Sequence, residues 1–398
     1  MTPASPLQTI VIGHRNPDMD SICAAIGYAE LKRLSGVPGV IPARAGSTNE
    51  RIDFVLEKFG VESPLFISDL SPRVRDVMER EVLSVTAHSP VYEAVRLIEQ
   101  NRMRGLPVVD GEMRCLGLLS AFKALQHMLP CENGAEGARM VEAPLSEIVK
   151  TFGGTPLVGE PGTAVGNHRL VVAAMAYETY CSRVSAFPAE EIVVIVGDRE
   201  DIQMAAVQGG VEAVVVTGGL PVSDAVSAEA RKNGVILVSS PTDSATTVLL
   251  ARGASKVEEK VDRDFVFFTP DTLLDTAREA ATDSGQTLFP VLDGGKLVGV
   301  VAKSDFLKAI PRQLILVDHN ELSQAVPGAD KVPIIEVLDH HRIGGFSSET
   351  PILFWNNPVG STSSIVAMCY RQAGIAIPKP IAGLLMAGLI SDTLNLTS

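Results

Sequence analysis

Disulfides and zinc knuckles are the first things this sequence lacks the means to build. Its five cysteines, Cys23, Cys115, Cys131, Cys181 and Cys369, are scattered with no close pair. All five are expected to be buried thiols. No apolar run approaches the roughly 20 residues that a membrane span needs. Met1 to Gln8 lacks a charged-then-apolar targeting pattern, so a cytoplasmic protein with no membrane partner is expected. Basic charge is also scarce: 34 Lys and Arg stand against 47 Asp and Glu, a formal net charge of −13. Phosphate-backbone binding depends on clustered Lys and Arg, which excludes nucleic acid as a main partner. A small anionic substrate would instead need metal ions to hold it. Aromatic residues are few at 5%, but 46% hydrophobic and 20% charged residues are ordinary for an α/β protein.

A chain of 398 residues is too long for one hydrophobic core, and two or three are expected. The opening stretch "QTIVIGHRNPDMDSICAAIGYAELKRL" reads as strand, polar loop and helix. The character changes at "SDLSPRVRDVMERE", which sets a boundary near Ser71. An internal repeat follows, with the stretch from Val91 resembling the stretch from Asp271. Each copy reads helix, Pro-led strand, turn, strand, helix, with Pro107 and Pro290 heading the strands and Asp-Gly at the turns. Between the copies, apolar strands alternate with helical stretches, the pattern of a parallel sheet with covering helices. After the second copy, "RQLILVDHNE" and "IIEVLDHHRIGG" return to strands ending in acidic and imidazole residues. Segments 1–71 and 311–398 are therefore read as one domain of normal size, split by an insert over 72–310.

Four strand ends carry the chemistry. His14, Asp18 and Asp20 follow "TIVIG", and Asp318 and His319 follow "LILV". Asp339, His340 and His341 follow "IIEVL", and Asp392 follows "GLIS". In parallel α/β sheets ligands gather at the carboxyl ends of strands, so these loops are expected to converge. Mixed carboxylates and imidazoles suit a divalent ion such as Mn2+, and their number suggests two ions. Two ions about 3.5–4 Å apart activate a water and brace phosphoryl oxygens during in-line displacement. Asp318 and Asp392 are candidates to bridge them, because one carboxylate can give an oxygen to each metal while an imidazole gives a single nitrogen.

The motifs "GHRNPDMDS", "VDHNE", "DHHRIGG" and "ISD" resemble those of family II inorganic pyrophosphatases, within the DHH phosphoesterase superfamily. The "PVGSTSS" turn, Pro358 to Ser364, resembles the loop before that family's next helix. The resemblance implies that His14 and Asp18 hold one metal and Asp20 and His340 the other, with Asp318 and Asp392 shared. It implies that His341 touches substrate or donates to the leaving phosphate, and that Asp339 orients a neighbouring imidazole. Two Mn2+ (or Co2+) per site and a Mg2+-bound pyrophosphate substrate follow from it. The repeat resembles a pair of CBS domains. The stretch between resembles a DRTGG domain, with Asp198-Arg199 and Thr217-Gly218-Gly219 as its defining residues. The fold class implied is α/β, a DHH-type parallel-sheet domain split by a CBS domain pair and a small α/β DRTGG domain. The segments are 1–71, 72–130 for the first CBS copy, 141–257 for DRTGG, 258–310 for the second CBS copy, and 311–398. Regulation by AMP, ADP, ATP or a diadenosine polyphosphate, and a homodimer through the CBS domains, are the implied partnerships.

Two departures qualify these expectations. Neither CBS copy has the complete Ser/Thr-x-x-Asp grip for ribose and phosphate. The first has Ser120 with Lys123, the second Ala302 with Asp305, so a nucleotide would also need Lys303 and Ser304. The sequence stops at "ISDTLNLTS", before the lobe with which family members clamp pyrophosphate, and weak or absent hydrolysis by this chain is expected. A DHH phosphodiesterase acting on small nucleotides shares Asp339-His340-His341 and is the alternative enzyme. A nucleotide-sensing module without catalysis of its own is the alternative outside enzymes. His88, His127 and His168 lie in the insert without partners and are read as structural or exposed. Asp198-Arg199 is either an ion pair at a strand end or a functional pair. Val95, Leu97 and Ile98 are read as core or dimer packing.

Overall fold

The computed structural model describes residues 7–128 and 140–397. The expectations that fall on Cys131 and on the side chain of His127 lie outside the described residues. The chain forms two compact units: one comprises Met1–Met78, Phe268–Asp283 and Lys303–Ser398, the other Glu79–Phe267 and Ser284–Ala302.

The first unit is built on a six-stranded parallel sheet. Its strands are β1 (Gln8–Ile12), β2 (Val40–Arg44), β3 (Leu65–Phe66), β4 (Arg312–Val317), β5 (Ile334–Asp339) and β6 (Leu353–Asn356). The spatial order is β6-β5-β4-β1-β2-β3. β1 and β4 are central neighbours, and the order runs outward from them in both directions, which leaves a crevice between the two loops that follow these strands. The alternating side chains of each strand divide between two cores. Val11, Ile315, Val317 and Leu338 face one of them, with the covering helices. Ile10, Ile12, Leu314, Leu316 and Val337 face the other.

Four helices cover the first face: α1 (Met19–Leu34), α2 (Glu50–Phe59), α3 (Thr362–Ala373) and α4 (Lys379–Asp392). The stretch leading to Asp392 is a helix, where the sequence suggested a strand end. An apolar run of this kind does not reveal its period, and the buried positions settle it: Ile381, Leu384, Leu385 and Gly388 recur at helical spacing. Pro378 at the cap and a proline in the first turn start the helix where no N–H partner is needed.

The second unit contains a six-stranded sheet between residues 140 and 239, four strands of it parallel, with antiparallel edges at Met140–Pro144 and Thr155–Val158. The repeat forms β-hairpins at Gly105–Val109 with Cys115–Ser120, and at Leu288–Asp293 with Lys296–Ala302. Pro107 and Pro290 lie within these strands and do not lead them. The short neighbouring strand Val85–Thr86 pairs only with Val108 and Val109, so the N–H missing at Pro107 interrupts no ladder there. The helix expected after the second hairpin is a five-residue 3-10 turn, Lys303–Leu307. Val95 and Leu97 pack against the core around Ile98. Cys23 and Cys369 are buried, whereas Cys115 and Cys181 are half-exposed, the one opening its strand and the other on a largely exposed helix.

Candidate metal centre

The loop after β1 turns sharply because Gly13 has no side chain: a Cβ there would sit 1.9 Å from Ser21 Oγ. This lets His14 reach across to β4 while Asp18 caps α1, its carboxylate accepting from the Ser21 N–H at 2.9 Å. Asp20, in the first turn of α1, is buried and receives the N–H groups of Thr362 (2.6 Å) and Ser363 (2.9 Å) at the start of α3. A helix N-terminus thus holds this carboxylate in place. Asp318, immediately after β4, is buried with φ of 65°, a left-handed conformation unusual for a residue with a Cβ. The Thr362 hydroxyl donates to its Oδ1 at 2.9 Å.

Asp318 links two groups of donors. Its Oδ2 lies 3.5 Å from Nε2 of His14, which is 3.6 Å from Oδ2 of Asp18. Its Oδ1 lies 3.5 Å from Nε2 of His340, which is 3.3 Å from Oδ2 of Asp392. Asp20, His340 and Asp392 form one set whose donor atoms lie within 4.8 Å of one another, and His14, Asp18 and Asp318 form another. Gly388 gives α4 its close approach, since a Cβ there would lie 2.3 Å from Ser363 Oγ and 2.8 Å from Asp20 Oδ1. Asp392 follows one turn later.

These donors fit divalent cations. His340 gives its Nδ1 proton to the Val359 carbonyl at 3.0 Å, which leaves Nε2 buried, without a hydrogen-bond partner, and aimed at Asp318 and Asp392. A fixed Nδ1–H with a free Nε2 lone pair is how a protein prepares an imidazole ligand. Charge gives a second sign. Burial lowers the proton affinity of His14, but Asp18 and Asp318 outweigh it and push its pKa up to about 10. His340 is likewise opposed by burial yet raised to about 9 by Asp318 and the Val359 carbonyl. Burial and the neighbouring Asp318 charge push Asp20 up to about 8, despite the α3 N–H groups. Burial also raises Asp392, as do Asp318 and Asp18. Asp318 itself is held well below the carboxylate range, because the two imidazoles outweigh its burial. Protons therefore occupy this cluster where cations would otherwise compensate its carboxylates.

Around the donors, Asp339 accepts at Oδ1 from Nδ1 of His341 at 2.8 Å and from the N–H groups of His340 and His341. His341 stands half-exposed over Asp318, with Nδ1 3.9 Å from Oδ1. His319 is buried, donates from Nδ1 to Val317 and meets the His14 ring edge-on at 6.4 Å. Sequence reasoning assigned no role to Asn320, Thr362 or Ser363. They lie within the recognised motifs, but their contacts are visible only when groups distant in sequence are brought to the same carboxylates.

Residues 147–254 match the DRTGG domain family, and residues 74–129 and 257–312 match the CBS domain family. Over 96% of its length the chain is 32% identical to a probable manganese-dependent inorganic pyrophosphatase of Thermotoga maritima, covering 69% of that protein. It is 31% identical, with the same coverage of both, to a cobalt-dependent inorganic pyrophosphatase of Clostridium perfringens. The chain belongs to the family II inorganic pyrophosphatases. It is thus a member of a hydrolase family that acts on a phosphoanhydride, and it carries CBS and DRTGG domains within the chain. A solved structure of the CBS and DRTGG domains of a Clostridium perfringens pyrophosphatase, complexed with the activator diadenosine tetraphosphate, superposes with a TM-score of 0.46 at 24% identity. That match covers 58% of this chain and 99% of the solved one.

In this pyrophosphatase's insert, a cavity of about 460 Å³ is lined by Arg104, Ser120, Asp262, Asp264, Phe265 and Gln286, among others. Of the residues expected to grip a nucleotide, Ser120 lines it. Lys123 sits beside it with its ammonium held by Asp262 at 2.8 Å, and its N–H donates to Ser120 Oγ. Lys303, Ser304 and Asp305 belong to the other compact unit, where Asp305 pairs with Lys308 at 2.9 Å. Asp198 is not the partner of Arg199, which instead forks onto Asp201 and donates to the Met175 carbonyl. His168 is not without partners either: it is buried between Glu212 (2.6 Å) and the Ala143 carbonyl (2.8 Å). His88 is exposed, 3.9 Å from Glu258. No described helix is long and apolar enough to cross a membrane.

Proposed function

We propose that the split domain hydrolyses inorganic pyrophosphate to two phosphates with two transition-metal ions, Mn2+ or Co2+. The observation that carries this reading is the carboxylate of Asp318, whose two oxygens face two separate donor sets. In this reading His14 and Asp18 would hold one ion and Asp20 and His340 the other, with Asp318 and Asp392 available to both. When bound, the ions lower the pKa of an attacking water and neutralise phosphoryl oxygens. His341 turns its free ring edge toward the substrate and exchanges a proton at Nε2, while Asp339 holds the opposite nitrogen. Pyrophosphate enters with Mg2+ as its counter-ion, which suits a protein whose own net charge repels it.

The insert is read as a regulator bound by adenine nucleotides, AMP, ADP, ATP or a diadenosine polyphosphate. The cavity beside Ser120 supports it: its lining includes the aromatic ring of Phe265, which could meet a base, and Asp262 and Asp264, whose oxygens could accept from ribose hydroxyls. Association of two chains through the CBS domains belongs to the same proposal. Phosphate release from pyrophosphate, measured against a nitrophenyl phosphodiester in Mn2+, tests the chemistry. Cleavage of the diester alone would overturn it. Calorimetry with AMP and ATP tests the insert, and absence of binding at millimolar nucleotide removes that part.

A further inference from the structure

The turn that follows β5 carries both histidines of the site, and one side chain from a different loop ties it down. Asn320 is buried, two residues beyond Asp318 in the loop after β4. Its Nδ2 donates to Oδ2 of Asp339 at 2.5 Å and to the carbonyl of Arg342 at 2.9 Å. Its Oδ1 accepts from the N–H of Gly344 at 2.7 Å. The three contacts match donors to acceptors in one orientation of the amide only, because a flipped amide would set oxygen against carboxylate and carbonyl. The turn is clamped at its beginning, by Asp339, and beyond its histidines, at residues 342 and 344. From outside, Asn356 Nδ2 donates to the His341 carbonyl at 2.7 Å.

We infer that Asn320 is a positioning residue for the reaction: through Asp339 it selects which nitrogen of His341 faces the substrate. The inference rests on the reading of His341 as the group that meets pyrophosphate. Asp339 is fully buried and has two oxygens to satisfy. Oδ1 takes the His340 and His341 N–H groups and the His341 ring, and Oδ2 takes Asn320. With Asn320 in place both oxygens of Asp339 accept hydrogen bonds and the carboxylate is fixed in orientation, so His341 presents Nδ1–H to Oδ1 and Nε2 outward. If Oδ2 loses its donor, a buried carboxylate oxygen is left unpaired. Rotation of the Asp339 carboxylate then relieves that penalty and removes the acceptor that fixes the ring of His341.

The other residue types fail for definite reasons. Aspartate would set a second carboxylate against Asp339. Leucine has the shape without the hydrogen bonds, and serine is too short to reach both ends of the turn. Asparagine donates twice and accepts once in one plane, as this turn requires.

The bland alternative is that Asn320 only stabilises a buried turn. The tautomer of His341 separates the two, because stability alone does not choose between ring nitrogens. Long-range 15N–1H correlation spectra of the histidine side chains, recorded on the metal-free protein at a pH where the ring is neutral, read it directly, with His341→Gln identifying the signals. The expected result is an Nδ1–H ring at His341 in the parent protein, lost or mixed in Asn320→Asp and Asn320→Ala. An Nε2–H ring in the parent, or an unchanged tautomer in folded variants, overturns the inference. It can be read whether or not pyrophosphate is the substrate. If both variants fail to fold, Asn320 is required by the turn itself and the positioning role is overturned.

Kinetics supply the second arm. In Asn320→Asp, kcat is expected to fall by about 10- to 100-fold, the usual effect of an outer partner of a site, with KM changed by less than about threefold. Combined with His341→Gln, the same substitution should add almost nothing, because both remove one unit. Full additivity would show that Asn320 acts elsewhere. A parent protein that does not hydrolyse pyrophosphate would defeat the functional reading, while the spectra would still judge the positioning role.

Discussion

The two oxygens of the Asp318 carboxylate face Nε2 of His14 and Nε2 of His340 at the same distance, 3.5 Å each. The two histidines reach it from loops on opposite sides of β4, because β4 lies between β1 and β5. One buried carboxylate thereby becomes common to two donor sets, and it ought to be the most sensitive position of the centre.

Replacing Asp318 with Asn keeps the shape and removes the charge. Mn2+ binding at both positions should weaken by more than about 100-fold, beyond what the loss of an outer partner causes. Asp18→Asn should weaken one ion far more than the other. Titration calorimetry distinguishes these outcomes through stoichiometry, and equal loss of both ions in Asp18→Asn would contradict the assignment of Asp18 to a single set.

Metal affinity should rise with pH. His340 carries a proton up to about 9, His14 up to about 10, and Asp20 up to about 8. Each must lose it to donate to a cation, so affinity increases through this range and levels off above it. Binding measured near pH 7 in buffers of different ionisation enthalpy should reveal protons released. An affinity independent of pH from 6 to 9 would count against these residues as ligands.

Cations that bind only the folded domain should stabilise it. At a free concentration 100 times the dissociation constant the gain is about 2.7 kcal/mol per independent site. Thermal unfolding followed with and without Mn2+ should show an upward shift that a chelator reverses. His340→Ala should reduce the shift, since its orphaned Nε2 is one of the prepared donors.

The insert has a pH response of its own. Both nitrogens of buried His168 face acceptors, Glu212 and the Ala143 carbonyl, so the ring satisfies both only as an imidazolium. Burial opposes that charge, but Glu212 and the carbonyl raise the pKa above its ordinary value. A raised folded pKa means the stabilisation is complete below about pH 6.5, the unfolded value, and fades as pH climbs through the folded one. His168→Asn should destabilise by about 1–3 kcal/mol at pH 6, with a smaller difference at pH 9. Denaturant unfolding at the two pH values measures it, and a difference that grew with pH would refute the imidazolium.

Most of the candidate donors were legible because they lie in short motifs beside strands, and a parallel sheet delivers such loops to one edge. The helix bearing Asp392 was not, since "IAGLLMAGLI" is apolar throughout and carries no period until its neighbours are known. Asn320 and Thr362 escaped for another reason: a hydrogen bond between residues far apart in sequence leaves no local mark. His168 looked solitary because its partner Glu212 is 44 residues away. The nucleotide grip anticipated around Lys303 and Asp305 leaned on one loop of each repeat. The cavity beside Ser120 draws instead on Asp262, Phe265 and Gln286, which precede or separate the repeated elements.

The order of strands in the six-stranded parallel sheet also explains why an insert is tolerated there. After β3, at one edge, the chain must cross back to the centre before β4 can pair with β1, so a long connection is obligatory at that point. Closing a loop becomes only slowly harder as it lengthens, by about 0.6 kcal/mol per doubling. Folded domains can therefore be threaded into that crossover at little thermodynamic penalty. The point of return is not neutral, however. The chain re-enters the sheet at Arg312, which pairs with Asp76, and runs straight along β4 to Asp318. The splice that is easiest to accommodate is thus also the one whose end is a short, stiff strand away from the shared carboxylate.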